Sequence, residues 1–309
     1  MSMTPLLGRL SLLLLLPGVA HAQAPPLTLT SPNPEPRGRF GTAVASVPDV
    51  GIDGRADFLV GASAEDGGAT DAGRVYLYSG TGGVIRTLTS PGPEASGGFG
   101  SSVAGVPDAD GDGRGDLLVG APGEAGGAGR AYLFSGATGA LLRTLPSPHP
   151  HEGGRYGSAV AGLPTSGSDG RGLLIGASYG DGGADGAGRA SYVEDSGALL
   201  RSLTSPNPEE GGSFGSSVAG VPDVNGDGFG DLLVGAWPES VGGQTAGRVY
   251  LFSGYGGALL RTLVSPHPES LGQFGVSVSG VPDANGDSRG DLLIGANSED
   301  GGGRDAGRA

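Results

Sequence analysis

Three stretches of this sequence place oxygen-bearing side chains at alternate positions of a short turn. The first holds Asp108, Asp110, Asp112 and Asp116, the second Asp223, Asn225, Asp227 and Asp231, and the third Asp283, Asn285, Asp287 and Asp291. Their common spacing is D-x-[DN]-x-D-G-x-x-D, with Ser288 in place of the glycine in the third. A hard cation such as calcium takes roughly six to eight oxygens, and alternate side chains of a tight loop converge on one point. Positions one, three, five and nine would supply carboxylate or amide oxygens. Position seven, which is Arg114, Phe229 or Arg289, would supply its backbone carbonyl. Glycine at position six lets the chain fold sharply over the ion. Asp, Asn and Gly also favour turns with no metal, so a bare acidic hairpin is the alternative. Several carboxylates packed in nine residues would repel one another without a cation, and three copies in register favour calcium. Affinities of about 0.1 to 1 mM, those of extracellular modules, are expected.

Two further copies depart from the pattern. In Asp49, Asp53, Arg55 and Asp57, Gly51 replaces the third-position ligand, so binding is expected to be weaker. In the stretch from Thr165 to Gly172 only Asp169 remains, and no metal is expected there.

The turns belong to a longer unit. An aromatic-Gly pair recurs at Phe40-Gly41, Phe99-Gly100, Tyr156-Gly157, Phe214-Gly215 and Phe274-Gly275, at spacings of 59, 57, 58 and 60 residues. That period suits one propeller blade of four strands. In the second copy, FGSSVAGV (Phe99 to Val106) precedes the acidic turn, and LLVGA (Leu117 to Ala121) reads as a strand buried on both faces. A Gly-rich loop, RAYLFSG (Arg130 to Gly136) and LLRTL (Leu141 to Leu145) complete four strands, and Ser-Pro-His-Pro then breaks the sheet. No segment has sustained helical periodicity, so the fold reads as all-β. Leu29 to Glu35 matches the end of a repeat, which would let a fourth strand close the ring onto the last copy. The last copy stops before its YLFSG strand, so an incomplete ring is expected.

The chain has 32 acidic residues against 18 basic ones, all arginine, and a net charge of -14. Such a surface repels nucleic acid. Without lysine or cysteine there is no Walker loop, Schiff base, disulfide or thiolate site. Arg9, the apolar stretch Leu10 to Val19 and Ala20-His21-Ala22 read as a secretory signal over residues 1–22, leaving residues 23–309 as the propeller. No second apolar run is long enough to span a membrane.

Phe99-Gly100 followed by Gly120-Ala121-Pro122, with the acidic loop between them, resembles the FG-GAP repeat of integrin alpha subunits and many secreted bacterial proteins. The likeness covers residues 27 to 309, though the other copies read GAS, GAW or GAN. It implies a β-propeller, usually of seven blades against the five copies counted here, with structural calcium in the acidic loops. It also implies loops on the opposite face that hold a protein or carbohydrate. By position those loops carry Trp237 and Tyr179 as candidate contacts. The resulting expectation is a secreted, calcium-binding, non-catalytic scaffold for adhesion or recognition. The alternatives are an accessory propeller of a secreted hydrolase and a carbohydrate-binding module.

Other motifs weigh less. Arg114-Gly115-Asp116 and Arg289-Gly290-Asp291 spell an adhesive tripeptide, but each Asp is a ninth-position ligand. Gly211 to Gly215 matches G-x-S-x-G around Ser213 without the strand-turn-helix that motif needs. His149 and His151 could share a soft metal, but they and His267 read as solvated loop residues.

Overall fold

The structure, a computed structural model, describes residues 27–163 and 172–309. The secretory-signal reading and Asp169 therefore lie outside the described residues. What is described is all-β. The first sheet comprises β1 (Phe40–Val47), β2 (Asp57–Ala62), β3 (Arg74–Tyr78) and β4 (Val84–Thr89). The second comprises β5 (Ser102–Val106), β6 (Asp116–Ala121), β7 (Arg130–Phe134) and β8 (Leu141–Pro146). The third has β9 (Tyr156–Gly162), β10 (Gly172–Ala177), β11 (Arg189–Glu194) and β12 (Leu199–Thr204). The fourth has β13 (Ser217–Val221), β14 (Asp231–Ala236), β17 (Arg248–Phe252) and β18 (Leu259–Leu263). Its Gly-rich loop adds a small hairpin, β15 (Ser240–Val241) and β16 (Gln244–Thr245). The fifth has β19 (Phe274–Val281) and β20 (Asp291–Ala296) alone.

Each four-stranded sheet is an antiparallel meander in chain order. The first strands lie innermost and pack side by side from β1 through β5, β9 and β13 to β19. Their ends meet round an axial cavity of about 540 Å³ whose lining includes Pro48, Gly105, Gly162, Gly220 and Gly280. Small residues are needed there because five backbones converge. β6, β10 and β14 are buried at every position, which is why LLVGA reads as an unbroken apolar run.

The hydrophobic core is a series of layers between successive blades. Leu59, Val75 and Leu77 of the first blade face Phe99, Val119, Tyr132 and Phe134 of the second, and the same pattern repeats to the fifth. In these layers Phe99 meets Phe134 edge-on at 5.9 Å and Phe214 meets Phe252 at 6.0 Å. Each such pair contributes about 1 kcal/mol beyond simple burial.

The glycines of the repeat explain themselves here. A Cβ on Gly120 would lie 2.0 Å from the carbonyl oxygen of Gly157 in the next blade, and one on Gly61 or Gly176 would meet Gly100 or Gly215 in the same way. In the first four blades the glycine before the GAP-like alanine thus touches the aromatic-Gly glycine of the following blade, backbone to backbone.

One expectation is corrected. Residues 27–30 form no strand and do not complete the last sheet. Leu29 instead packs on Val60, Ala62, Tyr76 and Tyr78 of the first blade, and the Tyr78 hydroxyl donates to the Thr30 carbonyl at 2.7 Å. With β20 as the outer strand of the fifth sheet, apart from a single bridge between Ala296 and Arg308, the described residues hold no third strand for a fourth to pair with.

Candidate functional site

The acidic turns join the first and second strands of their blades. In the second blade Asp108 Oδ1 accepts the Gly111 and Asp112 N–H groups at 2.6 and 3.1 Å, and Oδ2 accepts that of Gly113 at 2.8 Å. The same wrapping recurs at Asp223 and Asp283. Gly113, Gly228 and Gly54 sit at φ values of 86°, 88° and 80°, and Ser288 is forced to 65°. The sixth-position glycine is therefore required by the backbone.

Ligand atoms of Asp108, Asp110 and Asp116 lie within 4.8 Å of one another, as do those of Asp49, Asp53 and Asp57. The first turn converges in spite of Gly51. Asp112 lies outside the second trio and accepts the Arg114 N–H instead. In the fourth blade the Asn225 amide donates to Asp227 at 2.8 Å, and in the fifth the Asn285 amide donates to Asp287 and Asp291. Where position three is an amide, it donates hydrogen bonds to the neighbouring carboxylates in place of adding a further negative charge. The position-seven side chains have a separate task. Arg114 reaches the Val50 carbonyl at 3.0 Å and Arg289 that of Val224 at 3.1 Å, tying each turn to the one before it. Phe229 stacks on Tyr255 at 4.8 Å, and Arg55 is exposed.

The ninth-position aspartate is a backbone staple. Asp116 is wholly buried and accepts Ala109 N–H at 2.8 Å and Gly136 N–H at 2.9 Å. Asp57 and Asp231 do the same for their blades. Burial raises the carboxyls of Asp116 and Asp231, with the neighbouring acids adding to the shift. A bound cation would oppose that, because it favours the ionised form. Asp116 is thus closed to any receptor, as expected of the tripeptide, and Asp291 is half-buried.

On the opposite face lies a cluster that sequence reasoning missed. Glu65, Glu124 and Glu239 are buried, and each accepts a hydrogen bond from the hydroxyl of Tyr76, Tyr132 or Tyr250. Arg74, Arg130 and Arg248 stand beside them, at 3.6, 3.4 and 3.8 Å. Glu35 and Glu94, from the Pro-rich connections, clamp Arg74 and Arg130 at 2.9 and 2.8 Å. Burial, reinforced by Glu124, pushes the Tyr132 hydroxyl up to about 12, and burial pushes the Glu239 carboxyl up to about 7. The signal lay in the sequence, since Glu follows each GA by three residues except at Gly180, where the matching Tyr is also replaced, by Ser191. The third blade keeps an aromatic hydroxyl by carrying Tyr156 where the others have Phe.

Tyr179 is 46% exposed and Arg155 lies over its ring at 4.7 Å, whereas Trp237 is half-buried on the fourth blade. His151 faces Asp181 at 3.5 Å, and among the described residues no histidine joins a metal-capable group. The Ser213 hydroxyl donates to the Gly211 carbonyl at 3.2 Å, as a structural serine would.

An all-β meander of radially packed blades, tied glycine to glycine, defines a β-propeller. The FG-GAP repeat matches residues 40–78, 99–134 and 214–252, the first, second and fourth blades. The chain is 33% identical to human integrin alpha-IIb over 249 residues, 72% of this chain and 22% of that protein. It is 33% identical to integrin alpha-3 of Cricetulus griseus over 187 residues, 55% and 17% of the two chains. It is 39% identical to integrin alpha-2 of Bos taurus over 101 residues, 30% and 8%. The chain is thus an FG-GAP β-propeller of the integrin alpha-like kind, spanning less than a quarter of each of these relatives.

Proposed function

We propose that this chain is a secreted, calcium-binding, non-catalytic propeller that recognises an extracellular protein or carbohydrate. The observation that carries the reading is the convergence of three carboxylates in each of two turns at the same end of successive FG-GAP blades. Calcium there would neutralise the turn and stabilise the folded blade by mass action. The turns of the fourth and fifth blades supply further sites through Asp223, Asp227 and Asp231 and through Asp283, Asp287 and Asp291. Recognition falls to the opposite face, where the Gly-rich loops and Pro-rich connections lie. The integrin alpha likeness supports the extracellular assignment. Among the described residues no helix is long and apolar enough to cross a membrane.

Titration calorimetry tests the metal. About three to four sites of near-millimolar affinity are expected, the turn with Gly51 being the weakest, and the heat should fall by one site in Asp110→Ala. No heat at 5 to 10 mM calcium (about ten times the weakest affinity expected), together with a melt indifferent to chelator, would remove calcium from the reading.

A further inference from the structure

The chain is strongly acidic, yet one cavity is basic. On the face opposite the acidic turns, Arg37, Arg39 and Arg155 line a cavity of about 670 Å³ spanning the first three blades, and Asp71 is the single acid in its wall. That volume suits a ligand of a few rings. None of the three arginines is ion-paired with a described carboxylate, in contrast to Arg74 and Arg130 nearby.

Their backbones are constrained as well. Arg37, Arg39 and Arg155 sit at φ values of 65°, 55° and 56°, a left-handed region that a non-glycine residue adopts only at an energetic cost. Arg39 and Arg155 occupy the same repeat position, directly before the aromatic-Gly pair, and the blade between them has Gly98 there. With no side chain on Gly98 the middle of the cavity stays open, while arginines from the flanking blades border it. The Tyr179 ring under the Arg155 guanidinium supports that side chain at the rim. The rest of the wall is three serines, glycine backbone, Ala64 and Pro122. It offers hydrogen-bonding groups and almost no apolar surface for a peptide side chain to fill.

We propose that this cavity binds a carboxylate-bearing oligosaccharide, a uronic-acid chain, with the arginines holding carboxylates and the serine and backbone groups taking sugar hydroxyls. Arginine suits this because its planar fork meets a carboxylate in two parallel hydrogen bonds. The proposal rests on the reading of this face as the recognition face, and it names the ligand class.

The test is calorimetric titration of the chain with a uronic-acid tetrasaccharide, its methyl ester and an Asp/Glu hexapeptide, each in low salt and in about 0.5 M salt, where exposed charges are largely screened. The free-acid sugar should bind, weaken at least tenfold in the high salt and weaken at least tenfold in Arg39→Gln/Arg155→Gln, with Arg261→Gln unchanged. Unaltered melting of the double variant excludes misfolding as the cause. Tight binding of the ester, binding of the peptide alone, or sugar binding that the double variant keeps would overturn the proposal. A glycan and protein array then separates the two levels. Ligands bound equally by wild type and double variant sink the arginine cavity alone, whereas no ligand bound at all sinks the recognition reading with it.

Discussion

At the scale of single residues, burial decides which charges are at ease. Glu239 is wholly buried, shares a hydrogen bond with Tyr250 and has its carboxyl raised to about 7. The folded state therefore holds a proton that the unfolded chain has released. Its contribution to stability is full below the ordinary glutamate value, near 4.5, and is lost as pH rises through about 7. Glu239→Gln, which stays neutral, should flatten the fall in melting temperature between pH 5 and 8. Equal slopes in variant and wild type would show that Glu239 does not set the dependence. Ile52 makes a second case. It is 70% exposed and sits at φ 56°, where a β-branched side chain is disfavoured. Ile52→Gly should raise stability by about 1 kcal/mol in urea unfolding, and a loss of stability would mean that the first turn needs the isoleucine.

At the scale of strands and blades, the repeat motif is a packing rule between neighbours. Gly120 faces the Gly157 carbonyl so closely that a methyl group would have to displace one blade against the next. Gly126, by contrast, has a positive φ, of 65°, and nothing lies within 4 Å of its added Cβ. Gly120→Ala should cost about 3 kcal/mol or more, as overpacking plus lost blade contact, whereas Gly126→Ala should cost about 1 kcal/mol from backbone strain alone. Similar losses at both positions, read from denaturation midpoints, would refute the close-approach account. The family matches track a different feature, one inside the blade. They fall on blades with the full Glu-Tyr pairing and pass over the third, where Gly180 and Ser191 replace it together.

For the whole molecule, the two ends of the propeller carry opposite tasks. Acidic turns gather at one, and a basic cavity opens at the other. If calcium occupies the turns, chelation removes stability in proportion to occupancy, about 1.4 kcal/mol for each site held at ten times its dissociation constant. Melting temperature should therefore rise steadily with calcium between 0.1 and 10 mM (the affinity range of about 0.1 to 1 mM with a decade of excess) and fall back with chelator. Asp110→Ala should show a smaller rise. A calcium dependence unchanged in that variant would place the ion elsewhere. Sugar binding at the far face should persist when calcium is varied, provided the fold is kept.

Much of this was legible in the sequence because it is local. The period of 57 to 60 residues, the aromatic-Gly pairs and the alternating oxygens of Asp108, Asp110 and Asp116 are fixed by neighbours along the chain, and a turn or a strand is built from such neighbours. The glycine at position six could be read from turn geometry alone. What only the tertiary structure decided are the meetings of side chains from separate elements, loops and blades. Within the second blade Glu124 meets Tyr132, and Glu94 of the preceding connection meets Arg130. Asp49, Asp53 and Asp57 converge in spite of Gly51, and Leu29 settles on the first blade instead of closing the ring. Arg39 and Arg155 are over a hundred residues apart, and they border one cavity only because radial packing sets the first and third blades on either side of Gly98. Spacing along a chain cannot express that, since the distance between two blades depends on the volume of everything packed between them.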